Sequence, residues 1–163
     1  MNQNIIMSSE KPQIPNSLNE HWMPFTSNRD FKESPRLIVE AKGVYLKNHQ
    51  GQTQIDASSG LFCNPLGHGR EEIINAITNQ LKKLDYAQPF QQGFGGSFEL
   101  ATKISKHTPG NLNRIFYTIC GSTAVETAIK ISVAYFRSIG QTNRFKFVGR
   151  ERGYHGMNIG ALT

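Results

Sequence analysis

The stretch from Phe116 to Arg137, FYTICGSTAVETAIKISVAYFR, constrains this chain more than any other. Just before and within it, the run from Arg114 to Ile119 shows no polar alternation except Thr118, the pattern of a strand covered on both faces and therefore of a parallel sheet. It feeds Gly121-Ser122-Thr123, which opens a helix from about Thr123 to Ser138 with Val125, Ala128, Ile129 and Phe136 along one side. Thr123 and Glu126 stand at capping-box spacing, and Gly140 follows the last turn. Phe145 to Val148 reads as a second strand, completing one βαβ unit. The expected fold is α/β.

An anion can bind where that strand meets that helix. First-turn N–H groups have no intrahelical acceptor, the macrodipole is positive there, and Ser and Thr add hydroxyl donors. The same residues make an ordinary N-cap, so the turn taken alone leaves both readings open. It matches neither GxxxxGK[ST] nor GxGxxG. One helix and one strand later, RGYHG sets Tyr154 and His155 between glycines past a strand's carboxyl end, where open α/β sheets bind ligands. An aromatic ring there can stack on a planar group, although a plain surface turn accounts for the motif equally well.

The rest of the chain punctuates clearly. Met1 to about Ser17 is polar and broken by prolines, the character of a mobile arm, and HWMPFTSNRDF reads as an aromatic loop interrupted at Pro24. From Arg36 to Asp56, short β-rich runs separated by Lys42-Gly43 and by Asn48 to Gly51 predict a small antiparallel meander. The turn-rich Ser58 to Arg70 leads to EEIINAITNQLKKL, whose Ile73, Ile77, Leu81 and Leu84 recur at helical spacing with acids first and lysines last. After the loop LDYAQPFQQGFGG, Ser97 is placed to cap a helix carrying Phe98, Ala101 and Ile104 that ends before Pro109-Gly110.

Composition narrows the partners. Lys and Arg exceed Asp and Glu by 18 − 12 = 6, but the basic residues are scattered, which argues for an anionic small molecule over nucleic acid. Cys63 and Cys120 are far apart with no CxxC, and His21, His49, His68 and His107 lack ligand spacing, so neither a disulfide framework nor a metal site is expected. With no signal-like start and no membrane-length apolar run, the expectation is a soluble, cytoplasmic protein. Phe62, Phe90 and Phe94 in glycine-rich loops either line an apolar pocket or pack locally.

Taken together, HWMPFTSNRDFKESPRLIVEAKGVYL, DASSGLFCNPLGHGREEI, LDYAQPFQQGFGGSFELA, FYTICGSTAVETAIKISVAYFR and RERGYHG resemble, in order and spacing, the class III pyridoxal-phosphate aminotransferases, closest to those that act between omega-amino acids (β-alanine) and pyruvate. The resemblance runs from about Ser17 to Thr163 and implies the amino-terminal part of a fold type I transferase. In that frame residues 1–17 are an arm, 18–66 an amino-terminal segment with the meander, and 67–163 the beginning of a large cofactor-binding α/β domain, incomplete as written.

By the same resemblance Gly121, Ser122 and the Thr123 amide hold the phosphate of pyridoxal 5′-phosphate, and Tyr154 lies against its ring with His155 beside it. Leu61, Phe62 and Phe90 border the substrate pocket, Phe62 where such enzymes often have Trp. A homodimer acting on an amino donor and pyruvate is implied. Ile119, Cys120 and Thr123 depart from the family's usual run near NSGSE, and NPLGHG from its small-residue version. No residue of the chain matches the family's imine-forming lysine, which is expected beyond Thr163 with the acidic partner of the ring nitrogen and the carboxylate-binding Arg; Lys130 and Lys146 match neither motif. Transamination needs that lysine to carry the cofactor and to shuttle a proton, so the chain alone is expected to be inactive. A non-catalytic fragment binding a partner chain or a phosphate ligand, and a class III enzyme of other amine specificity, are the alternatives.

Overall fold

The computed structural model describes residues 14–161, and the expected amino-terminal arm falls outside them except at its carboxyl end. The chain divides into two compact units between Tyr86 and Ala87. No described helix is long and apolar enough to cross a membrane.

The first unit is built on the expected meander. Strands β1 (Ile38–Lys42), β2 (Tyr45–Asn48) and β3 (Thr53–Ile55) pair antiparallel in that order. Gly43, at φ +58°, turns β1 into β2, and Asn48 holds the next turn by accepting the Gln50 and Gln52 N–H groups on its Oδ1. A register shift between Ile38 and Glu40 marks a bulge, and Lys47, almost buried, pairs with Glu40 at 3.5 Å.

Ahead of the sheet, the aromatic loop contains a helix that the sequence reading passed over, α1 (Asn28–Glu33). Its signal is the Ser27-x-x-Asp30 spacing, realised as a 2.7 Å bond from the Ser27 hydroxyl to the Asp30 carboxylate. Asn28 staples the preceding loop by exchanging bonds of 2.9 Å with the Met23 backbone, and Phe31 is buried under the Arg36 guanidinium. Helix α2 (Glu71–Lys83) matches the expected one, with Glu71 and Glu72 in its first turn and Lys82 and Lys83 in its last. None of its residues is buried, and Ile77 and Leu81 remain more than half exposed.

In the second unit, helix α3 (Gly95–Ser105) begins two residues before Ser97, which therefore does not cap it; the Ser97 hydroxyl donates instead to Phe94 O at 2.7 Å. Helix α4 (Gly121–Ser138) also starts two residues early. Its end closes as expected at Gly140, φ +79°, with Gly140 N–H on Arg137 O and Gln141 N–H on Phe136 O, a Schellman motif.

The two expected strands of this unit are not realised. Neither Arg114 to Ile119 nor Phe145 to Val148 has a ladder partner among the described residues, and Ile119 and Val148 are 94% and 96% exposed instead of covered on both faces. A strand exists only through a neighbour's backbone, and apolar character cannot supply that neighbour. The first segment is tied to α3 by one side chain, the Tyr117 hydroxyl donating to Ser97 O at 2.9 Å.

Candidate functional site

The five expected cofactor-binding residues belong to the second unit. Because α4 begins at Gly121, Cys120 is its N-cap and Gly121, Ser122 and Thr123 form its first turn. The first helical bond runs from Ala124 N–H to Cys120 O at 3.0 Å, so the three preceding N–H groups lie ahead of the ladder, at the positive end of an 18-residue helix. An added Cβ on Gly121 would meet nothing within 4 Å, so the backbone there is open to approach.

The chain beyond Arg150 returns to this helix start. The Met157 N–H donates to Ser122 Oγ at 3.0 Å, and the Gly160 N–H to Glu126 Oε2 at 3.0 Å. Gly156, buried at φ +128°, presses so closely that a Cβ would stand 2.9 Å from Ser122 Cα. A single 3-10 turn, Ile159–Ala161, packs on α4 and buries Ala161. Tyr154 and His155 immediately precede this clasp and are both exposed. The capping box expected between Thr123 and Glu126 does not form: Glu126 reaches Gly160 instead, and the Thr123 hydroxyl lies 3.2 Å from Cys120 Sγ.

The helix start stabilises negative charge. The Cys120 thiol is held below its ordinary pKa by the Thr123 hydroxyl first and then by the Thr123 N–H, with smaller help from the Ser122 N–H and hydroxyl, against a small opposing effect of burial. Donors of this kind also suit a phosphate, and the Cys120 sulfur lies among them. Since Ser122 Oγ accepts from Met157, its own proton remains to donate to sulfur or to an anion that displaces it. A phosphate monoester therefore fits the donor set, and the exposed Tyr154 ring fits a planar group next to it. Cys120, an expected departure from pattern, stands at the N-cap of α4 against the Thr123 hydroxyl, a position that sequence reasoning passed over.

Leu61 and Phe62 belong to the first unit and Phe90 to the second, all three more than 70% exposed. Leu61 and Phe62 lie in an unusual turn. Ser59, Gly60, Leu61 and Phe62 have φ of 51°, 58°, 55° and 67°, and the Phe62 N–H reaches Ser58 O at 3.0 Å, so the chain makes one left-handed helical turn. Each non-glycine residue in that conformation costs about 1–2 kcal/mol, which the surroundings must offset. Beside it, Asp56 and His68 meet with Oδ2 and Nε2 3.0 Å apart. His68 lowers the Asp56 pKa most, followed by the Gly60 N–H, with a smaller lowering by the Ser58 hydroxyl and a modest opposing effect of burial.

Comparison with known proteins adds three findings. A family model described as aminotransferase class-III matches residues 26–163. The chain is 49% identical over 146 residues to an omega-amino acid–pyruvate aminotransferase of Pseudomonas putida, covering 90% of this chain and 32% of that one, and 44% identical over 154 residues to a β-alanine–pyruvate aminotransferase of Pseudomonas aeruginosa, covering 93% and 34%. Its structure superposes on an omega transaminase of Pseudomonas jessenii in complex with PMP at a TM-score of 0.81 and 30% identity, over 85% of this chain and 31% of that one. The chain thus spans about a third of the length of the relatives it matches.

Proposed function

Starting from a chain that belongs to the class III aminotransferase family, we propose that it supplies the phosphate cup and part of the donor pocket of an enzyme moving an amino group from an omega-amino acid or amine to pyruvate. The family is pyridoxal-phosphate dependent, and the fold is the amino-terminal part of a fold type I transferase, with its small antiparallel sheet and helices. The observation that carries the reading is the open start of α4, where the N–H groups of Gly121, Ser122 and Thr123 precede the helical ladder and the Ser122 hydroxyl, accepting from Met157, keeps its own proton to donate.

In this reading the Ser122 hydroxyl and the N–H groups of Gly121, Ser122 and Thr123 bind the phosphate, Gly156 lets the return segment close over Ser122, and Tyr154 covers the ring with His155 beside it. Bound there, the cofactor supplies an electron sink for amino-group chemistry. Leu61, Phe62 and Phe90 border the donor pocket. The working form is a cytoplasmic homodimer, and the 163 residues by themselves bind without turnover, since none matches the imine-forming lysine.

The test uses pyridoxamine 5′-phosphate, which cannot form adventitious imines with surface lysines. Iodoacetamide alkylation is followed at Cys120 and Cys63 by peptide mass. Saturating ligand is expected to slow Cys120 about tenfold, by competition for its donors, and to leave Cys63 unchanged. Dephosphorylated pyridoxamine should change neither rate. Equal Cys120 rates with and without the phosphorylated ligand, at concentrations where binding is complete, would falsify the phosphate cup.

A second reading, a non-catalytic segment that binds a partner chain, draws on the wholly unburied α2 and the exposed Phe116 and Ile119. Sedimentation of the purified chain separates the two, since the first expects a specific response to the cofactor and the second does not.

A further inference from the structure

We propose that Asp56 and His68 are positioning residues which close the loop 57–67 onto the meander and hold the left-handed turn presenting Leu61 and Phe62. The significance of that turn rests on the pocket role given above to Leu61 and Phe62.

Both ends of the loop are fastened to adjacent residues of one hairpin. The Asp56 N–H donates to Val44 O at 2.8 Å, while Gly43 and His68 exchange backbone bonds, 2.7 Å from His68 N–H and 2.9 Å from Gly43 N–H. Gly67, at φ +84°, permits the return, because a Cβ there would stand 3.0 Å from Gly43 O. Across the gap the side chains join. A carboxylate can only accept, so the His68 Nε2 carries the proton in the 3.0 Å contact with Asp56 Oδ2.

The same carboxylate reaches into the turn. Its other oxygen accepts the Ser58 hydroxyl at 3.1 Å, and the Gly60 N–H is directed to it as well. Its side chain is 7% exposed, so these protein donors stand in for water. Apolar packing does not hold the turn: Leu61, Phe62 and Leu66 are all more than 65% exposed. A conformation that three non-glycine residues disfavour is retained when its surroundings over-determine it, and here the surroundings are hydrogen bonds that converge on Asp56.

The experiment is NMR on the full 163-residue chain, reading the one-bond Cα–Hα couplings that distinguish positive from negative φ, together with amide exchange, at Ser59 to Asn64. In the parent, Ser59, Leu61 and Phe62 are expected to show positive φ with the Phe62 and Asn64 amides protected. His68→Ala and Asp56→Ala should abolish the positive-φ signature and speed exchange of those two amides at least tenfold, with strand β2 and helix α4 unchanged. His68→Gln, which keeps a donor near Nε2, should restore most of the protection, an outcome a merely space-filling His68 would not give.

Retention of the turn in His68→Ala overturns the proposal, as does a His68→Gln variant no better than His68→Ala. Should the alanine variants lose β2 as well, comparison of His68→Gln with His68→Leu, which matches bulk without a donor, decides the same point. These readouts belong to the first unit and the Cys120 protection test to the second, so failure of the turn's lock and failure of the cofactor reading are separately visible.

Discussion

Ser122 and Met157 are joined across 35 positions of chain by a 3.0 Å bond in which the backbone N–H of Met157 donates to the serine hydroxyl oxygen. The bond orients the Ser122 proton away from the return segment, so a side chain readily taken for a helix cap becomes a donor with a fixed direction. The clasp also fastens the segment after Tyr154 and His155 to the start of α4.

Replacing Ser122 with Ala removes the hydroxyl donor and the acceptor for Met157 together. Charge-assisted bonds contribute about 1.5–3 kcal/mol, so affinity for pyridoxamine 5′-phosphate should fall roughly tenfold to a hundredfold, measured by calorimetric titration. The far-ultraviolet dichroism should change little, because the backbone ladder of α4 begins at Ala124.

Gly156→Ala should be more damaging than its size suggests. The new Cβ would meet Ser122 Cα at 2.9 Å, and the backbone stands at φ +128°, a conformation L side chains rarely adopt. Strain of this kind costs about 1–3 kcal/mol, enough to open the clasp locally. Faster exchange of the Met157 and Gly160 amides checks it, and unchanged exchange there would show that the backbone yields without loss.

Thr123→Val keeps the branched shape and deletes the largest cause of the depressed Cys120 pKa. The expected result is an alkylation profile for Cys120 displaced to higher pH, with a smaller thiolate fraction near neutrality. A profile that does not move would mean that the first-turn N–H groups suffice.

Acid should release the Ser58 to Phe62 turn. The folded pKa of Asp56 lies below its ordinary value, chiefly through His68, so its stabilisation is complete above the ordinary carboxylate range and is lost as pH falls through that range toward the folded value. Exchange protection at Phe62, followed from neutral pH downward and corrected for intrinsic rates, should therefore decline in the acid range. In Asp56→Asn that decline should be absent.

The two levels of information divide along sequence distance. Helix α2 was legible because its stripe, its leading acids and its trailing lysines are all local, and the meander because its turns carry Gly43, Asn48 and Gly51. The Gly-Ser-Thr turn and RGYHG were each ambiguous until their joint order with the other segments matched one family, which the match over residues 26–163 bears out.

What the sequence by itself determined is therefore lineage, cofactor class and the elements whose hydrogen bonds close within a few residues. The tertiary structure alone decided the rest. Met157 on Ser122, Gly160 on Glu126 and Asp56 with His68 join residues 35, 34 and 12 positions apart, and no periodicity encodes such pairs. The left-handed turn was hidden for the same reason: of Ser59, Gly60, Leu61 and Phe62 only the glycine favours that backbone, and the conformation of the others is set by the carboxylate of Asp56 and its partners. Even the apolar run at Arg114 to Ile119 shows the limit, since local chemistry marked it for burial while a strand needs a neighbouring backbone to bond.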